Sequence, residues 1–385
     1  MSSPLAFPIL LIMYGSFFLI GVTMGMTGPL LPFLRHDLHL SYGEAGLLFS
    51  AQSLGSFGVL FLGGWLTHRI GKRPLLTTGV LLFFGGMLLT ALAPNMTFVL
   101  LGNLILGIAM SLFDIGVSTL CLEAPWEGKG QALNRLHFYF GAGAVAGPLV
   151  ALALSPFEGG WRWAFAVVGV APLILLPLLK KVALPPSPAA PGVQRSAVYR
   201  KGLLWWGAVA LFVYCGVEWG LGAWFPSYWK NLPQAAGLDP AWATSLFWLT
   251  FAVGRFVVGR WADAWGFVRF LVIALTLTVL LTGLWIVFPR PEISLVWVLL
   301  LGFVLAGQYP TFVALISQKF PHSSGQVTSF LSIFASLGTF FWPPAVGAWA
   351  DAQGIAALPW AQMVMALLLV GGAVVTFRAV RRFRA

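Results

Sequence analysis

Apolar runs of about 20 residues recur from one end of this chain to the other, and no other feature limits its fold so strongly. Each run is long enough to cross the roughly 30 Å hydrocarbon core of a bilayer as a helix, at about 1.5 Å per residue. Charged residues make up only 9% of the 385, whereas a soluble globular protein carries about 25%. A water-facing surface cannot be assembled from that inventory, so the sequence predicts an all-α, polytopic membrane protein. Helices are expected over residues 8–34, 44–66, 74–94, 97–121, 132–155, 161–179, 202–228, 241–262, 268–288, 294–318, 325–349 and 357–377.

The net charge of +11 invites a nucleic-acid reading, but its placement argues for orientation instead. With twelve spans and a cytoplasmic N-terminus, the inner loops hold Arg69, Lys72, Arg73, Arg260, Arg269 and most of the other cations, and the tail adds Arg378, Arg381, Arg382 and Arg384. The outer loops hold only Arg35, Arg162, Lys230 and Arg290. That asymmetry is the positive-inside rule, and it predicts an inner-membrane protein with both termini in the cytoplasm. The tail arginines are also placed to meet anionic lipid. The first apolar run is too long for a signal peptide and lacks a small-residue cleavage site, so it is expected to remain as a helix. Cys121 and Cys215 fall inside expected spans, which speaks against a disulfide framework and against a metal site. Trp161, Trp163, Trp224, Trp229 and Trp242 fall near span ends, where aromatic belts form.

One loop is written twice. Gly64-Trp65-Leu66-Thr67-His68-Arg69-Ile70-Gly71-Lys72-Arg73 and Gly259-Arg260-Trp261-Ala262-Asp263-Ala264-Trp265-Gly266 each follow a long apolar run, and each places a turn glycine seven residues after its first glycine. Their offset is about half the chain, which implies two homologous helical halves of the kind transporters use. The proline-rich, basic stretch 180–201 then reads as a cytoplasmic linker between a bundle at 1–179 and a second at 202–385. No Walker A loop is present, since Gly71-Lys72 is followed by Arg73. Movement of a solute must therefore run on gradients, and no cofactor is expected.

The repeated loop resembles that of the major facilitator superfamily, whose pattern is Gly-x-Leu-Ala-Asp-Arg-x-Gly-Arg-Arg-x-x-Leu. Gly64, Leu66, Arg69, Gly71, Lys72, Arg73 and Leu76 match in the first copy, and Gly259, Ala262, Asp263 and Gly266 in the second. His137-Phe138-Tyr139-Phe140-Gly141-Ala142-Gly143, Tyr214-Cys215-Gly216-Val217-Glu218 and Gly307-Gln308-Tyr309-Pro310-Thr311 are similar to segments of the fucose–galactose–glucose:proton symporter group. The resemblance implies twelve transmembrane helices in two pseudo-symmetric six-helix bundles, working by alternating access on a small, hydroxyl-rich substrate carried with a cation. It also implies that the acid of the loop is a cytoplasmic latch against the positive end of a helix. Asp263 keeps that acid, whereas His68 stands in its place in the first copy.

An intramembrane charge costs at least about 2.5–3.5 kcal/mol, so each is a functional hypothesis. Asp114 carries Ser111 and Ser118 on its face, Glu218 carries Tyr214 one turn before it, and Arg255 lies in the following span. Two readings stay open for these acids: a proton carrier, or a static pair such as Asp114 with Arg255. His137 with Asn134 is either a binding or relay group or a helix-entry pair. Gln52 and Gln308 need partners in apolar surroundings, and a polar substrate is one. Trp219 and Trp342 lie deep enough to stack on a ligand, although packing is the commoner use. Gly102, Gly107, Gly141, Gly143 and Gly147 suit close helix contacts.

The leading expectation is a monomeric secondary transporter of a small-molecule substrate, coupled to a proton or alternatively to sodium. Efflux of amphipathic drugs or lipids, uncoupled uniport and a non-transporting receptor are the competing readings. An intramembrane enzyme is disfavoured, because no nucleophile–base pair or metal-ligand cluster is visible.

Overall fold

The structure, a computed structural model, describes residues 6–123, 129–182, 184, 197–232 and 238–383, without the side chains at 6, 60–68, 122–123, 129–134, 197–198, 256, 259 and 322. Every regular element among the described residues is helical. Ten spans among them are long and apolar enough to cross a membrane. The chain divides into two compact units, one of Met1–Leu40 with Leu47–Gly192 and the other of Ser41–Gly46 with Val193–Ala385. Most of the expected linker lies outside the described residues.

The first unit contains α1 (Ala6–Leu38), most of α2 (Tyr42–Ile70), α3 (Lys72–Ala91), α4 (Met96–Glu123), α5 (Lys129–Leu154), α6 (Gly160–Val170) and α7 (Leu175–Lys181). Its chief pairings are α1 with α5 and α3 with α4. Glycine sets the first of these. The carbonyls of Phe18 and Val22 occupy the space a Cβ would need at Gly143 and Gly147, and those of Phe140 and Ala144 do the same at Gly21 and Gly25. The two backbones therefore touch directly, as small residues allow in an apolar medium. Gly107 on α4 meets the Gln52 carbonyl of α2 in the same way. The single helix expected at 161–179 is instead broken at Ala171–Ile174, a 3-10 turn containing Pro172. Proline removes one backbone donor and crowds the preceding turn, which accounts for the break.

The second unit contains α8 (Gly202–Lys230), α9 (Pro240–Trp265), α10 (Phe267–Val287), α11 (Pro291–Leu305), α12 (Gln308–Ser317), α13 (Ser324–Gln353) and α14 (Leu358–Arg382). The helix expected at 294–318 is interrupted at Ala306–Gly307, between α11 and α12. α8 is the interior helix. Of its apolar window 83% is buried, against 33–56% in the other spans, because α13, α14, α9 and α12 all pack on it.

The expected aromatic belt is only partly present. Trp163 and Trp242 are exposed, but Trp161, Trp224 and Trp229 are buried. Their indole N–H groups donate to Asp37 Oδ2, the Pro343 carbonyl and the Leu238 carbonyl at 2.7, 2.9 and 2.8 Å. A partner for the N–H lets such a ring go inside, where its large apolar area counts most.

Three glycines end helices in one shared conformation: Gly71, Gly266 and Gly354, with φ near +80° and ψ of 161°, 143° and 153°. Only glycine adopts that region readily. The third reveals another copy of the loop, Gly347-Ala348-Trp349-Ala350-Asp351-Ala352-Gln353-Gly354. Its carboxylate is engaged. Asp351 Oδ1 accepts from Tyr42 N at 2.7 Å and Oδ2 from Gly43 N at 2.8 Å, within the second unit, where Ser41–Gly46 belongs. Ser41 and Glu44 complete the helix start as a capping box, with Glu44 N donating to Ser41 Oγ at 3.1 Å and Ser41 N to Glu44 Oε2 at 2.8 Å. The first amides of α2 are thus supplied with acceptors.

Candidate functional site

Among the described residues, a polar cluster forms within the spans of the second unit. Glu218 is buried on α8, and its position follows from helical spacing, with Tyr214 one turn earlier on the same face. The Tyr214 hydroxyl donates to the Leu305 carbonyl at 3.0 Å, at the point where α11 ends. The same hydroxyl lies beside the Glu218 carboxyl, and the Arg255 guanidinium of α9 acts on that carboxyl as the nearby opposite charge. Arg255 also covers the Phe251 ring at 4.8 Å, a cation–π contact one turn back along α9. Tyr309 of α12 extends the cluster, its ring 6.0 Å from that of Tyr214 and its hydroxyl 3.2 Å from Ser332 Oγ on α13.

Gln362 of α14 touches α8 at the same level. Oriented by its hydrogen bonds, the amide nitrogen donates to the Val217 carbonyl and the oxygen accepts from Leu221 N, each at 3.2 Å. An uninterrupted helix bonds that N–H to that carbonyl, so an amide shares the backbone ladder on both sides of Glu218. Side chains inserted at the ladder mark places where helices bend.

Other expected residues fall around this cluster or into the interior. Trp219 meets Trp248 edge to face at 6.2 Å. Trp342 donates its indole N–H to the Phe212 carbonyl at 3.0 Å, and its ring fills the space that a Cβ on Gly216 would need. Gln308 is fully buried, with Nε2 donating to Thr278 Oγ1 at 2.9 Å and Oε1 lacking a partner among the described residues. Its Nε2 is engaged inside the unit, at the α11–α12 break, and its Oε1 is not.

The first unit offers a sparser arrangement. Asp114 is exposed, and Ser118 Oγ donates to its Oδ1 at 3.2 Å across one helical turn. Gln52 is buried and turns Nε2 to Met110 Sδ at 2.8 Å, a weak acceptor. His137 is exposed with its ring edge to Phe17 at 5.7 Å, close to the stacked Tyr14–Tyr139 pair at 4.4 Å. The side chain of Asn134 lies outside the described residues.

Of the loop residues, Arg73 donates to the Val182 carbonyl, and Arg69 is exposed at the end of α2. Gly64 and His68 sit in α2 and Gly259 in α9, at positions outside the described side chains. Asp263 is exposed and has no hydrogen bond or ion pair among the described residues. Sequence reasoning overlooked Tyr309, Ser332, Gln362 and Asp351. Only Asp351 left a signal of its own, in the loop pattern that precedes Gly354.

Membrane-length helices in two compact units, with a buried carboxyl, two phenols and an exposed guanidinium gathered in one of them, describe a multi-pass α-helical membrane protein. The chain belongs to the Major Facilitator Superfamily, which it matches over residues 13–239 and 234–384. It is 28% identical over 171 residues to the galactose-proton symporter of Escherichia coli (strain K12), covering 44% of this chain and 36% of that protein. The matched region thus spans about a third of that relative. With the sodium-dependent glucose transporter 1A of Mus musculus it shares 22% identity over 377 residues, 87% of this chain and 88% of the relative. The solved structure of the nucleoside transporter NupG superposes with a TM-score of 0.81 at 12% identity, over 99% of this chain and 100% of that one. This family consists of transporters, and the protein is not an enzyme.

Proposed function

We propose that the protein carries a small, sugar-like solute together with a proton across the inner membrane. Twelve spans in two six-helix bundles would expose the site alternately to each side, with both termini cytoplasmic and the protein acting as a monomer. One observation carries the reading: Glu218 is buried on α8, the most buried of the ten membrane-length spans among the described residues, beside Tyr214 and near Arg255. A carboxyl there is neutral when it holds a proton and is matched by the guanidinium when it does not, so one site accommodates both states. The names of two relatives, a galactose-proton symporter and a glucose transporter, favour a hydroxyl-rich substrate.

Asp114, exposed and bonded to Ser118, is the second candidate for the coupling step. His137, Asn134, Tyr214, Gln52, Trp219, Gln308 and Trp342 would supply substrate contacts from their respective units. Purified protein in liposomes tests the proposal. An imposed proton gradient should drive accumulation, Glu218→Gln should abolish accumulation while keeping solute exchange, and Asp114→Asn should weaken accumulation less. Absence of solute movement under every proton or sodium gradient would refute it.

The repeated loops would gate the cytoplasmic side through Gly64, Arg69, Gly71, Arg73, Gly259, Asp263 and Gly266. His68 supplies no anion where the family pattern has one, so the inward-open form should be favoured. Restoring it with His68→Asp should reduce labelling of cytoplasmic-side cysteine probes, and unchanged labelling would reject that part.

One observation favours efflux of amphipathic compounds instead. The rings of Trp219, Trp248, Phe247 and Phe251 cluster on α8 and α9, and the Trp342 indole N–H is already committed. A thermal-shift screen separates the two readings: sugars should raise the midpoint under the first and apolar cations or lipids under the second.

A further inference from the structure

On the second unit, α8 and α14 leave a groove of about 500 Å³ between them, within the roughly 300–1,000 Å³ range of ligand sites. Trp206, Val209 and Val213 of α8 and Leu368, Gly371 and Val375 of α14 line it, and every other lining residue is apolar as well. Its α14 wall, from Val364 to Val375, is about 17 Å long at 1.5 Å per residue. That is close to the depth of one leaflet, half of a core about 30 Å thick. The groove is open at Gly371, where a Cβ would find no atom within 4 Å.

The same stripe of α14 runs on into positive charge. Steps of three and four residues lead from Leu368 through Gly371 and Val375 to Arg378 and Arg382, which places both arginines beyond one end of the groove. Both are exposed and have no acidic partner among the described residues. Lys201, just before α8, sits over the Phe383 ring at 5.5 Å, which brings a third cation to that end. Basic residues at a span end follow from orientation alone. A leaflet-long open groove in register with them does not.

We propose that this groove is a binding site for an anionic phospholipid. One acyl chain would lie between α8 and α14, and the phosphate would rest on Lys201, Arg378 and Arg382. Charge complementarity selects this occupant, because an apolar tail joined to an anion matches the groove and its end together. Trp206, exposed on the groove wall near Lys201, suits the interfacial level where such a headgroup would sit.

Native mass spectrometry of the delipidated full-length protein tests the site, using equal amounts of phosphatidylglycerol and phosphatidylcholine of the same chain length. The wild type should retain phosphatidylglycerol roughly tenfold better. Arg378→Gln with Arg382→Gln should remove that preference without lowering phosphatidylcholine retention, and Gly371→Leu, which fills open space, should lower retention of both lipids. Circular dichroism confirms that each variant is folded, and Lys201→Gln provides a separate single-charge test. Equal retention of the two lipids by the wild type, or an unchanged preference in the charge variants, overturns the proposal. So does displacement of the lipid by glycerol 3-phosphate alone, which would mark an anion site independent of the groove. A protein dimer lost in Gly371→Leu with lipid retention unchanged would assign the groove to a second copy instead.

Discussion

The ends of α9 and α13 carry nearly the same eight residues and use them differently. Gly259–Gly266 and Gly347–Gly354 share Gly-x-Trp-Ala-Asp-Ala-x-Gly, and both finish on a glycine with φ near +80° and an extended ψ. In the first, Asp263 is exposed without a partner among the described residues. In the second, Asp351 accepts both leading amides of α2. The pattern therefore fixes a sharp stop for the helix, and the neighbour decides whether its carboxylate stabilises anything.

The largest effect should come from the shared feature. Gly354→Ala and Gly266→Ala each force a side chain into a backbone region that only glycine enters readily, at about 1–3 kcal/mol. Thermal unfolding in detergent should show similar losses for both, and a neutral result at either would break the equivalence of the two stops. Next comes Asp351→Ala, which leaves two helix-start amides without their acceptor and should cost about 1 kcal/mol. Asp263→Ala should stay within about 0.5 kcal/mol, as for surface changes generally. Equal effects of the two aspartate changes would show that the carboxylate at α9 also has a structural partner. The smallest difference concerns Asp351→Asn: one amide oxygen still accepts, so it should recover part of what Asp351→Ala loses.

A second contrast bears on function. Asp114 and Glu218 are both acids on long apolar helices, and sequence alone could not rank them as coupling groups. Their neighbours along the helix were legible, since Ser118 and Tyr214 follow from a spacing of four. The groups brought in by other helices were harder to read. Tyr309 lay in a segment noticed only for its resemblance, and neither Ser332 nor Gln362 stood out. Their contacts cross from one helix to another, and no periodicity within a single helix encodes that.

The same division holds for the fold. Apolar run length and charge scarcity announced the membrane class, and Gly143 and Gly147 were read correctly as close-contact positions. The breaks at Ala171–Ile174 and Ala306–Gly307 lay within runs that read as single helices, because hydropathy does not register where the backbone ladder is interrupted. Trp161, Trp224 and Trp229 were expected at a belt but are interior, since the groups that accept their N–H donors lie on other segments.

By itself, then, the sequence determined the membrane class, the approximate positions of the helices and the glycine stops at Gly71 and Gly266. These depend on composition, on runs of about 20 residues and on backbone freedom at single positions, all of which are local. Only the tertiary structure decided that Asp351 and not Asp263 caps a helix, and that Glu218 has a guanidinium near it. Asp351 and Tyr42 are 309 residues apart in the chain, and a partnership across that separation exists only once the helices have packed.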